Sequence, residues 1–289
     1  MSIGESILIL GASSWLGHYL VPSLVAKTSD AKIIATYANT RPAFKSDSVK
    51  IIQCSSANFT CIENHPFSTL INLTRGETPK DFEFHQYLIN LVNQRDGRYI
   101  YASSSNAVDR DVSKPHFETD RADAQSEYGK FKAQCEEALF KRCRNFLAFR
   151  FSATHGWAPN RIARTEEFLQ KLHKGEKIVV RKGIVQNRTF VGTLANLISR
   201  LVLDQSAEGV FHLGATDFSE EVIFSKRLAS AFGYDPSLVV EGETVNWNLV
   251  TVLGKLTDRY PNLSLPTEME AIADVRAQSE LANYVSLDV

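Results

Sequence analysis

Ser6-Ile7-Leu8-Ile9-Leu10-Gly11-Ala12-Ser13-Ser14-Trp15-Leu16-Gly17 reads as a strand, a tight turn and the opening of a helix. Ile7 to Leu10 is a short apolar run that stops at a glycine, the pattern of a strand buried on both faces. Beyond the turn, Leu16, Leu20, Leu24 and Val25 recur at helical spacing. Strand, glycine turn and helix in this order aim backbone N–H groups and the positive end of a helix at a pyrophosphate. Gly11 permits the turn and Gly17 lets the helix approach the strand, while Ser14 stands where a third glycine is usual. Gly11, Ser13, Ser14, Trp15, Leu16 and Gly17 are therefore the expected phosphate-binding turn.

Outward from this unit the chain alternates. Lys32–Tyr37, Val49–Gln53, Thr69–Leu73, Tyr99–Ala102 and Phe146–Phe151 read as strands, and Phe82–Gln94 and Ser126–Arg144 as helices between them. The alternation predicts an α/β fold: a Rossmann-type, doubly wound parallel sheet with right-handed crossovers and its ligand at the C-terminal ends of the strands. Beyond Ala158 the pattern loosens. Pro159-Asn160 breaks the chain, a helix over Arg164–His173 follows, and a strand Lys177–Arg181 leads into mixed elements. The expected division is a nucleotide-binding domain over 1–157 and a smaller mixed C-terminal lobe over 158–289, with no Pro/Ser-rich linker and no internal repeat.

Composition narrows the function classes. At 289 residues the chain can bury a substantial core. Its net charge of −1 disfavours nucleic acid or a membrane surface as partner, since both draw on a basic excess. The four cysteines, Cys54, Cys61, Cys135 and Cys143, form no Cys-x-x-Cys pair, so no metal site is expected and reduced thiols in a cytoplasmic protein are the simpler reading. The N-terminus lacks a basic, apolar leader pattern, and nowhere do about eighteen apolar residues run together.

Chemistry enters at Ser126-Glu127-Tyr128-Gly129-Lys130-Phe131-Lys132 and at the upstream run Ser103-Ser104-Ser105. A free tyrosine, with a pKa near 10, is a poor proton donor at neutral pH. If Tyr128 opens a helix, Lys132 at i+4 shares its face, where a positive charge can stabilise the phenolate and an ammonium can hold a ribose. A serine hydroxyl can donate to a carbonyl oxygen that gains negative charge. Tyr-x-x-x-Lys alone also occurs on ordinary exposed helices; the glycine turn upstream is what gives it weight.

These segments resemble the extended short-chain dehydrogenase/reductase superfamily, and within it the dTDP-4-dehydrorhamnose reductase group of sugar-nucleotide reductases. The resemblance runs through Gly11–Gly17, Leu70–Thr74, Tyr99–Ser104, Tyr128–Lys132, Arg150–Gly156 and Gln186–Ala195. It implies catalytic roles for Ser104, Tyr128 and Lys132, with Ser105 as the fallback hydroxyl, and it adds Leu73 and Thr74, together with Tyr128 and Lys132, to the cofactor-binding set. It also implies sugar contacts from Ser105, Thr154 or His155, a diphosphate contact from Arg188, and dimerisation through the helices beside the tyrosine. The chain departs from the family in three places. Ile51–Ser56 lacks the aspartate that touches adenine, so that contact is missing or taken by a serine. Thr193 replaces a common aspartate. Ser105-Asn106 stands where sugar-nucleotide dehydratases need an Asp-Glu pair, which argues against dehydration.

The end of the second strand bears on the cofactor. Thr36-Tyr37-Ala38-Asn39-Thr40-Arg41 holds no carboxylate to take a ribose 2′-hydroxyl and one guanidinium, Arg41, suited to a 2′-phosphate. NADP(H) is expected, with NAD as the alternative. The sequence reading is thus a reductase of a keto sugar attached to a nucleotide diphosphate, at C4. Two alternatives stand beside it: an NAD-dependent epimerase of such sugars, and a cofactor-binding regulatory subunit without activity.

Overall fold

The computed structural model describes residues 6–28, 31–42, 44, 46–55, 58, 60–159 and 162–281. In chain order the elements are β1 (Ser6–Leu10), α1 (Trp15–Val25), β2 (Lys32–Tyr37), β3 (Val49–Gln53), β4 (Thr69–Asn72), α2 (Pro79–Gln94), β5 (Arg98–Ala102), α3 (Glu127–Arg142), β6 (Phe146–Phe151), β7 (Ala153–His155), α4 (Arg164–His173), β8 (Ile178–Gln186), β9 (Arg188–Phe190), α5 (Val191–Leu203), β10 (Gly209–Leu213), β11 (Ser219–Glu220), α6 (Glu221–Ala231), β12 (Val239–Asn248), α7 (Gly254–Arg259) and α8 (Glu268–Leu281). They form two compact units: residues up to 110, 121–150 and 195–211 in the first, and 111–120, 151–194 and 212 onward in the second. This division departs from the sequence boundary at 157/158, because β7 pairs with β9 and so joins the second unit, while residues 195–211 return to the first.

The first unit is built on a seven-stranded sheet of order β10-β6-β5-β4-β1-β2-β3. The pairs from β3 through β2, β1, β4 and β5 to β6 are parallel. This is the expected doubly wound sheet. Every residue of β1, β4 and β5 is buried, as two-sided coverage of a parallel sheet requires. Leu8, Leu10, Leu70, Leu88, Tyr99, Tyr101 and Leu139 pack in one apolar cluster, each large side chain contributing on the order of 1.5–3 kcal/mol by leaving water. Strand order reverses between β1 and β4. A crevice outside the C-terminal ends of these two strands is where a doubly wound sheet receives its ligand.

Helix boundaries follow from local chemistry. Helix α2 starts three residues before the expected Phe82, because Thr78 and Asp81 form a reciprocal capping box and Pro79 occupies the first turn, where its missing N–H costs nothing. Helix α3 is capped by Ser126, whose hydroxyl accepts from the Gly129 N–H. Beneath α3, the Arg150 and Glu136 side chains form an ion pair at 2.7 Å with exposures of 1% and 0%, and Ser103 donates to the same carboxylate. Glu136→Ala would leave the Arg150 charge buried without its partner, so it should cost about 3–5 kcal/mol. Urea titration checks this; a loss below about 1 kcal/mol would mean that the pair is dispensable.

In the second unit β7 and β9 pair in parallel, and β8 forms a three-stranded sheet between β11 and β12. Strand β8 runs to Gln186, past the expected end at Arg181. Gly183, with φ +80°, is the reason: a Cβ there would lie 1.8 Å from the Val245 carbonyl oxygen, so glycine lets the strand continue past the irregular register of β12. Among the described residues no helix is long and apolar enough to cross a membrane.

Candidate active site

The turn after β1 sits at the reversal point of the sheet. Its Gly11 N–H donates to Thr36 Oγ1 at 3.3 Å, and the Ala12 N–H donates to the Thr36 carbonyl at 2.9 Å, which ties it to the end of β2. Gly11 has φ +73°, a conformation costly for any side chain. At Gly17 an added Cβ would lie 2.5 Å from the Ala12 carbonyl oxygen, so this glycine fixes how closely α1 approaches the turn. Ser14 is more than a tolerated substitute for glycine: its hydroxyl accepts from the Gly17 N–H at 3.1 Å and caps α1. Ser13, Trp15 and Leu16 are partly exposed along the same turn.

Facing Gly11 is the end of β4. The Leu73 N–H donates to the Leu10 carbonyl at 3.0 Å, and Asn72 Oδ1 accepts from both the N–H and the hydroxyl of Thr74, at 3.0 and 2.6 Å. Two predicted groups, Gly11 and Leu73–Thr74, therefore meet where the fold places a ligand. A dinucleotide fits this cradle. The first turn of α1 carries no acidic residue to repel a phosphate, and the loop from Thr36 to the exposed Arg41 carries no carboxylate. Of the expected adenine-side serines, Ser56 lies outside the described residues; Gln53, at the end of β3, donates to the Ala38 carbonyl at 2.9 Å.

The predicted catalytic side chains also converge. Tyr128 and Lys132 share one face of α3, with the Lys132 Nζ 5.6 Å from the centre of the Tyr128 ring. Ser104 caps a 3-10 turn over Ser105–Val108, its hydroxyl donating to Asn106 Oδ1 and accepting from the Asn106 N–H, each at 3.2 Å, and it lies close enough to Tyr128 to lower the phenol's pKa. Gly129 allows this proximity: a Cβ there would lie 2.3 Å from the Asn106 carbonyl oxygen, so any larger residue would push the 3-10 turn off α3. Ser103 is engaged with Glu136 in the core, which singles out Ser104 from the serine run; Ser105 is partly exposed in the 3-10 turn.

The electrostatics differ from the simple expectation that Lys132 lowers the Tyr128 pKa. Burial raises the phenol above its ordinary value, opposed by the neighbouring Ser104 hydroxyl and then by the Arg75 guanidinium. Lys132 is itself buried at 1% exposure and is lowered to about 8 by loss of hydration. Its ammonium donates to the Ala102 carbonyl at 2.9 Å and the Thr74 carbonyl at 3.4 Å, and lies 4.7 Å from the centre of the Tyr101 ring. The lysine thus joins the ends of β4 and β5 beneath the tyrosine.

Sequence reading missed two residues here. Arg75, immediately after Thr74, lies 5.0 Å above the Tyr128 ring. Asp109 is buried and accepts from the Gln125 N–H at 2.7 Å, the Ser126 hydroxyl at 3.1 Å and Asn106 Nδ2 at 3.2 Å, which anchors the 3-10 turn to the start of α3. The signal for Asp109 is its place in Asn106–Asp109, directly after the Ser103-Ser104-Ser105 run. For Arg75 it was a charged pair flanking Gly76 beside an expected cofactor residue.

The remaining candidates lie in the second unit. Thr154 and His155 are on β7, and the His155 ring centre is 4.6 Å from that of Phe224. Burial, with Arg188 and Arg164 adding to it, holds this histidine down at about 3, so it is neutral. Arg188 is buried, and its Nη1 donates to the Gln186 and Ser219 carbonyls at 3.0 Å each and to Glu268 at 2.9 Å; Nη2 meets Glu221 at 3.5 Å. That guanidinium is held by two carbonyls and two carboxylates of its own unit. No group of His, Cys, Asp and Glu suited to a metal ion occurs among the described residues.

The sequence matches the family described as the RmlD substrate binding domain over residues 5–247. The chain belongs to this family. With its fold, that membership places it among the extended short-chain dehydrogenase/reductases. No curated protein matches it. Among solved structures, dTDP-glucose 4,6-dehydratase from Bacillus anthracis, in complex with NAD, is similar with a TM-score of 0.82 at 13% identity, covering 98% of each chain. The dTDP-4-dehydrorhamnose reductase of the same organism, in complex with NADP, has a TM-score of 0.73 at 14% identity, covering 96% of this chain and 100% of that one. UDP-N-acetylglucosamine 4-epimerase from Bacillus cereus has a TM-score of 0.75 at 15% identity, covering 96% and 97%. At these identities the likenesses establish the fold that this RmlD-family chain shares with them.

Proposed function

We propose that this RmlD-family chain is an NADP(H)-dependent reductase of a keto sugar carried on a nucleotide diphosphate, acting at C4. The observation that carries this reading is the convergence of Ser104, Tyr128 and Lys132: the Lys132 Nζ lies 5.6 Å from the centre of the Tyr128 ring while bonded to the Ala102 and Thr74 carbonyls, with Ser104 beside the phenol. NADP(H) when bound supplies the hydride. The Gly11–Gly17 turn would hold its pyrophosphate, Arg41 its 2′-phosphate, Leu73 and Thr74 the rim of the crevice, and Lys132 with Tyr128 its nicotinamide ribose. NAD is the alternative occupant.

The Ser104 hydroxyl, which donates to Asn106 Oδ1 in this structure, lies beside the phenol, so once turned to a carbonyl oxygen placed against both groups it would supply one of two hydrogen bonds as that oxygen's negative charge grows. Tyr128 gives up its proton to that oxygen, and Lys132 restores charge balance next to the phenolate that remains. Asn106 is held by Asp109 where a dehydratase would need a carboxylate pair, which favours reduction over dehydration.

Thermal-shift titration should show NADP raising the melting temperature more than NAD does, since a ligand stabilises the state it binds, and Arg41→Ala should erase the difference. Keto sugar nucleotides should then drive NADPH oxidation. Tightly copurifying NAD without net NADPH oxidation would replace reduction with epimerisation. No cofactor response at all would remove the enzymatic reading.

A further inference from the structure

We propose that Arg75 is a positioning residue for Tyr128: its guanidinium, set over the phenol ring, holds that ring toward Ser104, and its charge, balanced by Glu77, sets how readily the phenol releases its proton. The inference rests on reading Tyr128 as the proton donor. Its first support is placement, with the guanidinium carbon 5.0 Å from the ring centre, within the range of a cation–π contact. Arg75 is paired in turn with Glu77. Two opposite charges thus flank one phenol.

The loop carrying them is fixed at both ends and in its middle. Thr74 is bound to Asn72 through its N–H and hydroxyl. The N–H groups of Glu77 and Thr78 donate to Asp81 Oδ2 at 3.1 and 3.0 Å. Gly76, with φ +58°, packs so closely that a Cβ would lie 2.8 Å from the Phe131 ring on α3, the helix that bears Tyr128. A loop anchored in this way holds Arg75 over the ring even though the side chain itself is exposed. The electrostatics agree: Arg75 lowers the phenol, and Glu77 raises it. Lys132 is already committed to two backbone carbonyls. Arg75 is the additional cation acting on the phenol from the solvent side.

The test places a ring-fluorinated tyrosine, whose phenol ionises near neutral pH, at position 128 and follows its ionisation by fluorine NMR. It is read in the otherwise unaltered protein and in Arg75→Met, Arg75→Lys and Glu77→Gln backgrounds. Arg75→Met should move the midpoint up and Glu77→Gln should move it down, each by roughly half a unit to two units for a charge at this range, with Arg75→Lys closer to the unaltered protein than Arg75→Met. Unchanged midpoints, or shifts of the same sign for Arg75→Met and Glu77→Gln, would overturn the proposal. If Arg75→Met fails to fold, a Glu77→Gln midpoint that does not fall would overturn it equally. Because the titration needs no substrate, opposite shifts in a protein that fails to oxidise NADPH would leave this inference standing and remove the reductase reading.

Discussion

Tyr128→Phe is expected to lower kcat by about 10²- to 10⁴-fold, the usual worth of a positioned proton donor, while leaving cofactor affinity nearly unchanged. The substitution removes one oxygen and keeps the ring. Contacts of that ring with Lys132 and Arg75 survive, at 5.6 and 5.0 Å, so the helix and loop should stay in place. What disappears is the phenol oxygen beside Ser104 and the proton itself. Steady-state NADPH oxidation with a responsive keto sugar nucleotide, alongside NADP titration of the same preparation, separates the two effects. Turnover within about threefold of the unaltered enzyme would place the proton donor elsewhere, because general acid catalysis is worth far more than that.

Lys132→Met should separate activity from stability. The same substitution that reduces turnover by roughly 10²-fold or more should leave the protein as stable at pH 7 or more so. Lys132 is 1% exposed, and its amine is lowered from 10.5 to about 8 by burial. A base with a depressed folded-state pKa binds fewer protons when folded than when unfolded between pH 8 and 10.5. Stability therefore rises with pH across that window, and the full cost of burying the charge is present below it. That cost is about 3 kcal/mol at pH 7. Methionine escapes it, while leaving the Ala102 and Thr74 carbonyls without their donor at a cost of about 1–3 kcal/mol. The net change at pH 7 should be near zero or stabilising, and the mutant's relative advantage should shrink as pH rises from 8 to 10.5. Urea titrations of both proteins at several pH values check this. A stability difference that stays constant over that range would mean that the lysine is not desolvated in the folded protein.

The legible part of this fold was the part dictated by local pattern. Strands β1, β2, β3 and β6 and helix α4 begin and end where the apolar runs and breakers place them, because short apolar runs make the strands of a covered parallel sheet and a helix repeats its apolar face every three to four residues. The start of α2 was misplaced because capping by Thr78 and Asp81, with Pro79 between, extends a helix beyond its apolar stripe. The length of β8 was underestimated because Gly183 reads as a terminator until the carbonyl of Val245 is known to press against it.

By itself the sequence determined the glycine turn after the first strand, the parallel sheet and the grouping of Tyr128 with Lys132, since each depends on contacts between residues close in the chain or on a period that local composition reveals. Tertiary structure alone decided which serine lies beside the phenol, with Ser103 donating to Glu136 in the core and Ser104 left next to Tyr128. It also decided that Arg188 is held by Glu268, across 80 residues of chain, and that Arg75 lies over the tyrosine ring. Charge energies depend on burial and on partners distant in sequence, and neither is present in a string of residues before the chain has folded.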